Sequence, residues 1–228
     1  MKNIVAITGA GISAESGIKT FRDANGLWEG HDVMEVASIN GFKQNPEIVL
    51  SFYNERRKQL HKVKPNAAHS SLVKLESCFN VTIITQNVDD LHERAGSKNV
   101  LHLHGELFKA RPVNSNNSIL WKKDIKLGDT DSKGAQLRPD IVWFGEDVPL
   151  MDKAIALISK ADIVLIIGTS LQVYPAASLT AYANTNAVVY YIDPNPKTQN
   201  YITNCTIIAQ KATNAVPILV DDLIDTFS

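Results

Sequence analysis

The 228 residues carry 23 Lys and Arg against 24 Asp and Glu, a formal net charge of −1, with a pI near 6.6. Apolar residues make up 44% and charged residues 21%, which supports a sizeable core and excludes a disordered chain. No basic stripe stands out and no run reaches membrane-spanning length, so neither a nucleic-acid nor a membrane partner is expected. Cys78 and Cys205 lie far apart in apolar company and no CxxC occurs. That pattern argues against a disulfide framework and a cysteine zinc site, and two buried thiols fit a reducing compartment. The opening MKNIVAITGAG has too short an apolar run for a signal segment and reads as a first strand. A cytoplasmic monomer is the expectation.

In chain order, five β-branched runs predict strands covered on both faces: NIVAIT from Asn3, VTIIT from Val81, DIVLIIG from Asp162, AVVYYID from Ala187 and CTIIAQ from Cys205. Helical patterns lie between them: AAHSSLVKLE after Pro65, LMDKAIALISKA after Pro149, PAASLTAYA with Pro175 at a first helical position, and AVPILVDDLIDTF at the close. The alternation predicts an α/β fold, a doubly wound Rossmann-like parallel sheet with a small inserted lobe. The main domain is read as residues 1–25, 62–105 and 137–228. Residues 26–61 show no strand signal, and Asn45-Pro46-Glu47 reads as a capped helix start; residues 106–136 are polar. These two insertions are expected to pair as the lobe.

Gly9-Ala10-Gly11-Ile12-Ser13-Ala14 follows the first strand directly. Glycines there let the backbone turn tightly and approach a pyrophosphate at a helix N-terminus; a plain tight turn is the other reading. Asp193, at the end of AVVYYID, stands where a carboxylate could hold a ribose, or where it could start a turn before Pro194.

The motifs Gly9–Ser13, Ala14-Glu15-Ser16-Gly17-Ile18, Phe21-Arg22, Thr85-Gln86-Asn87-Val88-Asp89-Asp90-Leu91-His92, His104-Gly105, Arg138–Glu146 and Gly168-Thr169-Ser170 occur in this order. The ordered set resembles the sirtuin family along nearly the whole chain. The resemblance implies NAD as co-substrate and acyl-lysine proteins or peptides as partners, yielding nicotinamide, free lysine and O-acyl-ADP-ribose. It makes His104 the general base and Asn87 its catalytic companion; histidine titrates near neutral pH, as the task requires. On the residues alone His104 could be structural, or could form a metal pair with His102. The resemblance places Gly9, Ala10, Gly11, Ser13, Phe21, Arg22, Gln86, Asn87, Asp89, Gly168, Thr169, Ser170, Asp193 and Ala212 around NAD, with Asn87 and Asp89 at the nicotinamide end. Val142, Phe144, Gly145 and Glu146, faced by Val173, would receive the peptide as an added strand; a core strand with an aromatic pair is the plainer alternative.

Tyr53 and Arg56 stand i and i+3 on the helix after Pro46, on one face. An Arg fork with a Tyr hydroxyl can take a carboxylate, and the resemblance is to the branch that removes succinyl and malonyl groups, with Ala37 as its small pocket residue. Acetyl-lysine is a second expected substrate. Against this, Arg56-Arg57-Lys58 reads as a solvated basic face. Typical members carry two CxxC pairs after the HG dipeptide. Residues 107–137 hold neither Cys nor His, so no zinc is expected, and the lobe would be held by Ile119, Leu120, Trp121, Ile125 and Leu127. An ADP-ribosyltransferase and a non-catalytic NAD-binding or ADP-ribose-binding module are the rival readings.

Overall fold

The structure is a computed structural model that describes residues 1–19, 27–197 and 204–227. Its strands are β1 (Asn3–Thr8), β2 (Leu27–Trp28), β3 (His31–Asp32), β4 (Asn80–Thr85), β5 (Val100–His102), β6 (Gly105–Pro112), β7 (Ile119–Leu120), β8 (Leu137–Ile141), β9 (Ile163–Ile167), β10 (Val188–Ile192) and β11 (Cys205–Ile208). Its α-helices are α1 (Ala10–Ser13), α2 (Val33–Val36), α3 (Ile39–Gln44), α4 (Pro46–Leu60), α5 (Ala67–Lys74), α6 (Leu91–Ala95), α7 (Met151–Ile158) and α8 (Ala212–Phe227).

All five expected runs enter one sheet of order β11-β10-β9-β1-β4-β5, and every pairing in it is parallel. The reason is burial: alternate residues serve two different cores, so neither face tolerates polarity. Ile4, Ala6 and Ile83 pack beneath Leu72 of α5 and Val216 and Leu219 of α8. Val5, Ile7 and Ile84 share the opposite core with Ala154 and Ile158 of α7 and with Leu179. The chain moves outward from β1 to β4 and β5, then returns to β9 on the other side of β1. That reversal opens a crevice at the strands' carboxyl ends, the usual ligand position in such a sheet.

Asn45 caps α4, its side chain accepting from the Ile48 N–H at 3.2 Å, and Pro46 takes the first turn. The helix covers two smaller cores: Val36, Val49, Phe52, Tyr53, Leu107 and Trp143 in one, Leu50, Ala110, Ile125 and Leu137 in the other.

Several details differ from the sequence reading. Residues 27–32 form a two-stranded pair, β2 with β3, too short to carry a periodicity. PAASLTAYA forms a 3-10 helix over Ala176–Tyr182, with Pro175 just outside it as N-cap. The antiparallel sheet β7-β6-β8 runs across the expected boundary at residue 137, because β8 pairs with β6. Of the five apolar residues expected to hold the lobe, Ile125 is buried and Trp121 packs beside it, but Ile119 and Leu120, on β7 along one edge of β6, are exposed, as is Leu127 in a turn. Asn54 does that work instead. Its amide donates to the Ile125 carbonyl at 2.9 Å and its Oδ1 accepts the Ile125 N–H at 2.9 Å. Cys78 and Cys205 are free thiols, and both are half-buried rather than buried.

Candidate functional site

The glycine-rich turn leaves β1 and packs directly on the turn that leaves β9. The Gly11 N–H donates to the Gly168 carbonyl at 2.8 Å, and the Gly9 N–H to the Ile167 carbonyl at 3.0 Å. A Cβ on Gly11 would stand 2.6 Å from Gly168 Cα; one on Gly168, whose φ is +61°, would stand 2.3 Å from the Ile12 nitrogen. These glycines are therefore required by the meeting of the two turns. The helix they open is shorter than the motif suggests. α1 spans four residues and gives way to a 3-10 turn over Ala14–Ser16 that Gly17 closes in the left-handed region, so it carries little of a full helix dipole.

Beside this turn lies the segment after β4. The Asn87 amide donates to the Gly9 carbonyl at 3.1 Å and to the Ser13 hydroxyl at 3.2 Å, and that hydroxyl donates to Asp89 Oδ2 at 2.9 Å. Asp89 is buried, and burial raises its carboxyl to about 6 despite the bonds from the Leu91 N–H and Ser13. The Gln86 amide donates to the Thr169 hydroxyl at 3.0 Å, and Ser170 follows, half-buried. Gln86, Asn87, Asp89, Ser13, Thr169 and Ser170 thus line one crevice edge.

Asp193, after β10, is buried. Its Oδ1 accepts the Asn195 N–H at 2.8 Å, the turn-starting bond that the sequence leaves open. Ala212 begins α8, whose next residue, Thr213, bonds Glu15 of the 3-10 turn through its N–H and hydroxyl. Phe21 and Arg22 lie outside the described residues.

His104 sits not on a strand, as expected, but in the tight turn between β5 and β6. Gly105, at φ +81°, makes that turn; a Cβ there would meet the Asp140 carbonyl oxygen at 2.0 Å. The His104 Nδ1–H donates to the Gln86 carbonyl at 3.0 Å. This fixes the tautomer and leaves the Nε2 lone pair as the proton acceptor. Burial lowers the ring's pKa below 6.5 against the opposing pull of the Gln86 carbonyl, so it is neutral at pH 7. His102 differs: its Nδ1 meets the Asn87 carbonyl at 3.0 Å and its Nε2 meets Glu93 Oε1 at 2.7 Å. Both nitrogens face acceptors, so no lone pair remains for a metal shared with His104.

On the opposite side, α4 presents Tyr53 and Arg56. Tyr53 is fully buried among Trp28, Phe52 and Trp143; its hydroxyl accepts the Trp143 indole N–H at 3.0 Å and keeps its own proton, burial pushing the phenol pKa up. Arg56 lies at the cluster's edge with its side chain 16% exposed. Its guanidinium is 4.8 Å from the Phe52 ring centroid, and its buried Nε has no hydrogen-bond partner among the described residues. Sequence reasoning misses Arg57, the middle of the basic run, which is 1% exposed. Its Nε donates to the Leu107 carbonyl and its Nη1 to Asn54 Oδ1, and burial lowers its pKa to about 10. The signal lay in the i, i+3 spacing of Asn54 and Arg57.

Ala37 ends α2, and its carbonyl accepts the Phe144 N–H at 2.9 Å, while the Val142 N–H donates to the His104 carbonyl. The Val142–Gly145 segment therefore runs between Ala37 and His104, with Phe144 and Gly145 exposed. Glu146 shapes the segment from within: it accepts from Arg138 at 2.6 Å, Arg111 at 3.1 Å and the Trp143 N–H at 2.8 Å. Val173 holds the start of the 3-10 helix through its carbonyl, which accepts the Ala177 N–H.

The zinc of typical sirtuins has no ligand set here. Residues 107–137 contain no Cys or His, and among the described residues no group of three or more His, Cys, Asp or Glu is placed to hold a metal. The nucleotide side does fit a dinucleotide, with a glycine-rich turn beside the amide, hydroxyl and carboxylate groups of Gln86, Asn87, Ser13, Thr169 and Asp89 at the strands' carboxyl ends.

A family model described as the Sir2 family matches residues 9–175. An NAD-dependent protein deacylase of Helicobacter pylori is 58% identical over 100% of this chain and 98% of its own, and one of Bacteroides thetaiotaomicron is 51% identical over 98% and 99%. Among solved structures, a Sir2 homologue in complex with NAD superposes with a TM-score of 0.90 at 39% identity, covering 100% of this chain and 91% of that one. A Sir2 variant with a p53 peptide and NAD superposes at 0.81 with 29% identity, covering 98% and 94%. On the match across residues 9–175 and the identity along its full length, this chain belongs to the Sir2 family.

Proposed function

We propose that this protein removes acyl groups from lysine side chains of proteins or peptides with NAD as co-substrate, and that its acyl pocket accepts the acidic succinyl and malonyl groups as well as acetyl. The observation that carries the reading is His104: a neutral imidazole whose Nδ1–H is committed to the Gln86 carbonyl, which leaves the Nε2 lone pair as its proton acceptor.

NAD supplies a ribose carbon activated by its bond to nicotinamide. Asn87 and Asp89 would hold the nicotinamide end, Asn87 through its amide and Asp89 through a carboxyl poised between charged and neutral at about pH 6. Gly9, Ala10, Gly11, Ser13, Thr169 and Ser170 would line the phosphate and ribose groups, with Gln86 and Asp193 toward the sugars and Ala212 at the far end of the crevice. Phe21 and Arg22 would shield and charge-pair the same ligand. His104 takes a proton at Nε2 from a ribose hydroxyl and returns it later.

Val142, Phe144, Gly145, Glu146 and Val173 would frame the peptide, whose acyl-lysine enters between them. The Sir2 variant solved with a p53 peptide and NAD supports a protein or peptide substrate. Arg56 supports the acidic-acyl reading, since a buried guanidinium nitrogen without a partner is costly until an acceptor meets it. Tyr53 retains an O–H to donate, and Ala37 leaves room beside them.

The test is incubation with NAD and matched acetyl-, succinyl- and malonyl-lysine peptides, read by mass spectrometry. O-acyl-ADP-ribose from at least one peptide is expected. Its absence with all three contradicts deacylation, and product from acetyl-lysine alone contradicts the acidic-acyl pocket.

A further inference from the structure

Consecutive carbonyls of the segment after β4 are each held by an imidazole: Gln86 by His104 and Asn87 by His102. The two rings do this with different sets of partners. His104 has one acceptor and one open lone pair. His102, buried, has an acceptor at each nitrogen: the Asn87 carbonyl at Nδ1 and the Glu93 carboxylate at Nε2. A carbonyl and an ionised carboxylate can only accept, so both bonds form at once only when the ring carries both protons. From this geometry we propose that His102 is a positioning residue: as an imidazolium clamped by Glu93, it fixes the Asn87 carbonyl and through it the Asn87 amide and Asp89 carboxyl for the nicotinamide end of NAD.

The inference rests on the NAD-dependent reading above and adds to it a residue and a pH dependence. If the ring loses the Nε2 proton, its lone pair faces Glu93. If it loses the Nδ1 proton, its lone pair faces the Asn87 carbonyl and pushes that peptide away. The first loss frees the ring from its Glu93 anchor, and the second releases the carbonyl of the segment that bonds Gly9 and Ser13. The charged groups around the ring favour the cation. Glu93 on α6, Glu106 on β6 and Asp89 on the loop are acidic; His92 on α6 opposes, and Lys109 on β6 draws on Glu93. Burial disfavours the charge, but the bond and field of Glu93 and the charge of Glu106 outweigh it, and the ring's pKa stays above 6.5. His102 sits beside Thr85 in the β4–β5 register, and the Thr85 hydroxyl accepts the Asn87 N–H at 3.0 Å, so one short stretch of backbone carries the effect.

The experiment compares the wild-type chain with Glu93→Gln and His102→Gln. The dissociation constant for NAD is measured by calorimetry from about pH 6 to about pH 9, and the His102 ring is titrated by NMR without ligand. In the wild type, NAD affinity should fall in the same pH range in which the His102 ring loses its proton. Glu93→Gln removes the carboxylate and should move both curves to lower pH by about a unit, a roughly tenfold weaker hold on the second proton. His102→Gln should weaken NAD binding and remove that pH dependence, with the KM for acyl-peptide unchanged. NAD-affinity curves of wild type and Glu93→Gln that superimpose would overturn the proposal, as would a wild-type ring that titrates at or below the ordinary histidine value. Absence of O-acyl-ADP-ribose while NAD affinity still follows the ring would overturn the deacylase reading and leave the role of His102 standing.

Discussion

At the carboxyl ends of β1, β4 and β9, polar side chains are bonded to one another before any ligand is considered. Asn87 holds Gly9 and Ser13, Ser13 holds Asp89, and Gln86 holds Thr169. Along α4 the balance is different. Asn54 and Arg57 tie the helix to Ile125 and Leu107, yet Arg56 Nε and Arg57 Nη2 are buried without a partner among the described residues. In the proposed reading the first region is preorganised for a reaction shared by every acyl substrate. In that reading the second is where substrates differ: among the described residues Arg56 is paired only with Glu55 at 3.8 Å and leaves Nε open, and a buried donor without an acceptor discriminates strongly between ligands that do and do not supply one.

The largest effect that would break this comparison is expected at His104. His104→Ala should lower turnover by about 10²- to 10⁴-fold for acetyl- and succinyl-peptides alike, with NAD affinity retained in calorimetry. Unequal losses would mean that the reaction frame is not shared. Gly168→Ala should follow. Its added Cβ would stand 2.3 Å from the Ile12 nitrogen at a positive φ, so a loss of about 3 kcal/mol or more in urea unfolding is expected. Unchanged stability would mean that the turns do not meet as described. Asn54→Ala strips three hydrogen bonds from Ile125 and Arg57 and should cost about 2 kcal/mol, with a larger rise in KM for peptide than for NAD. A smaller effect concerns acid. Burial lowers His69 to about 4, so the unfolded chain binds its proton first, and stability is lost as pH falls from 6.5 toward 4. His69→Gln should flatten that part of a stability–pH curve measured by urea unfolding; an unaltered slope would assign the acid loss to other groups.

Much of the frame was legible in the sequence because burial on both faces leaves an unmistakable mark. β9, read as DIVLIIG, is apolar throughout because all of its side chains are covered. The capped start of α4 was legible because an N-cap and a first-turn Pro act locally. What sequence could not supply was which polar side chains turn inward. Arg57 stands between Arg56 and Lys58 in a run that reads as solvent-facing; its i, i+3 neighbour Asn54 is a local hint, but its burial depends on the distant Leu107 carbonyl. Gly9 and Gly11 read as ligand-facing, whereas their tightest neighbours are Thr169 and Gly168, about 160 residues away in sequence, a contact that no local pattern encodes. Ile119 and Leu120 read as core and are exposed, because β7 lies along one edge of β6.

In the proposed division of labour the strand-end frame performs one chemistry while α4 chooses the acyl group. The most direct measurement is the ratio of kcat/KM for succinyl-lysine to that for acetyl-lysine, in the wild type and in Arg56→Met. The ratio should fall by about tenfold to a hundredfold, the loss of one charge-assisted pairing, while kcat/KM for acetyl-lysine stays within about threefold of wild type. Equal losses for both peptides would contradict the division of labour and make Arg56 a structural residue of α4.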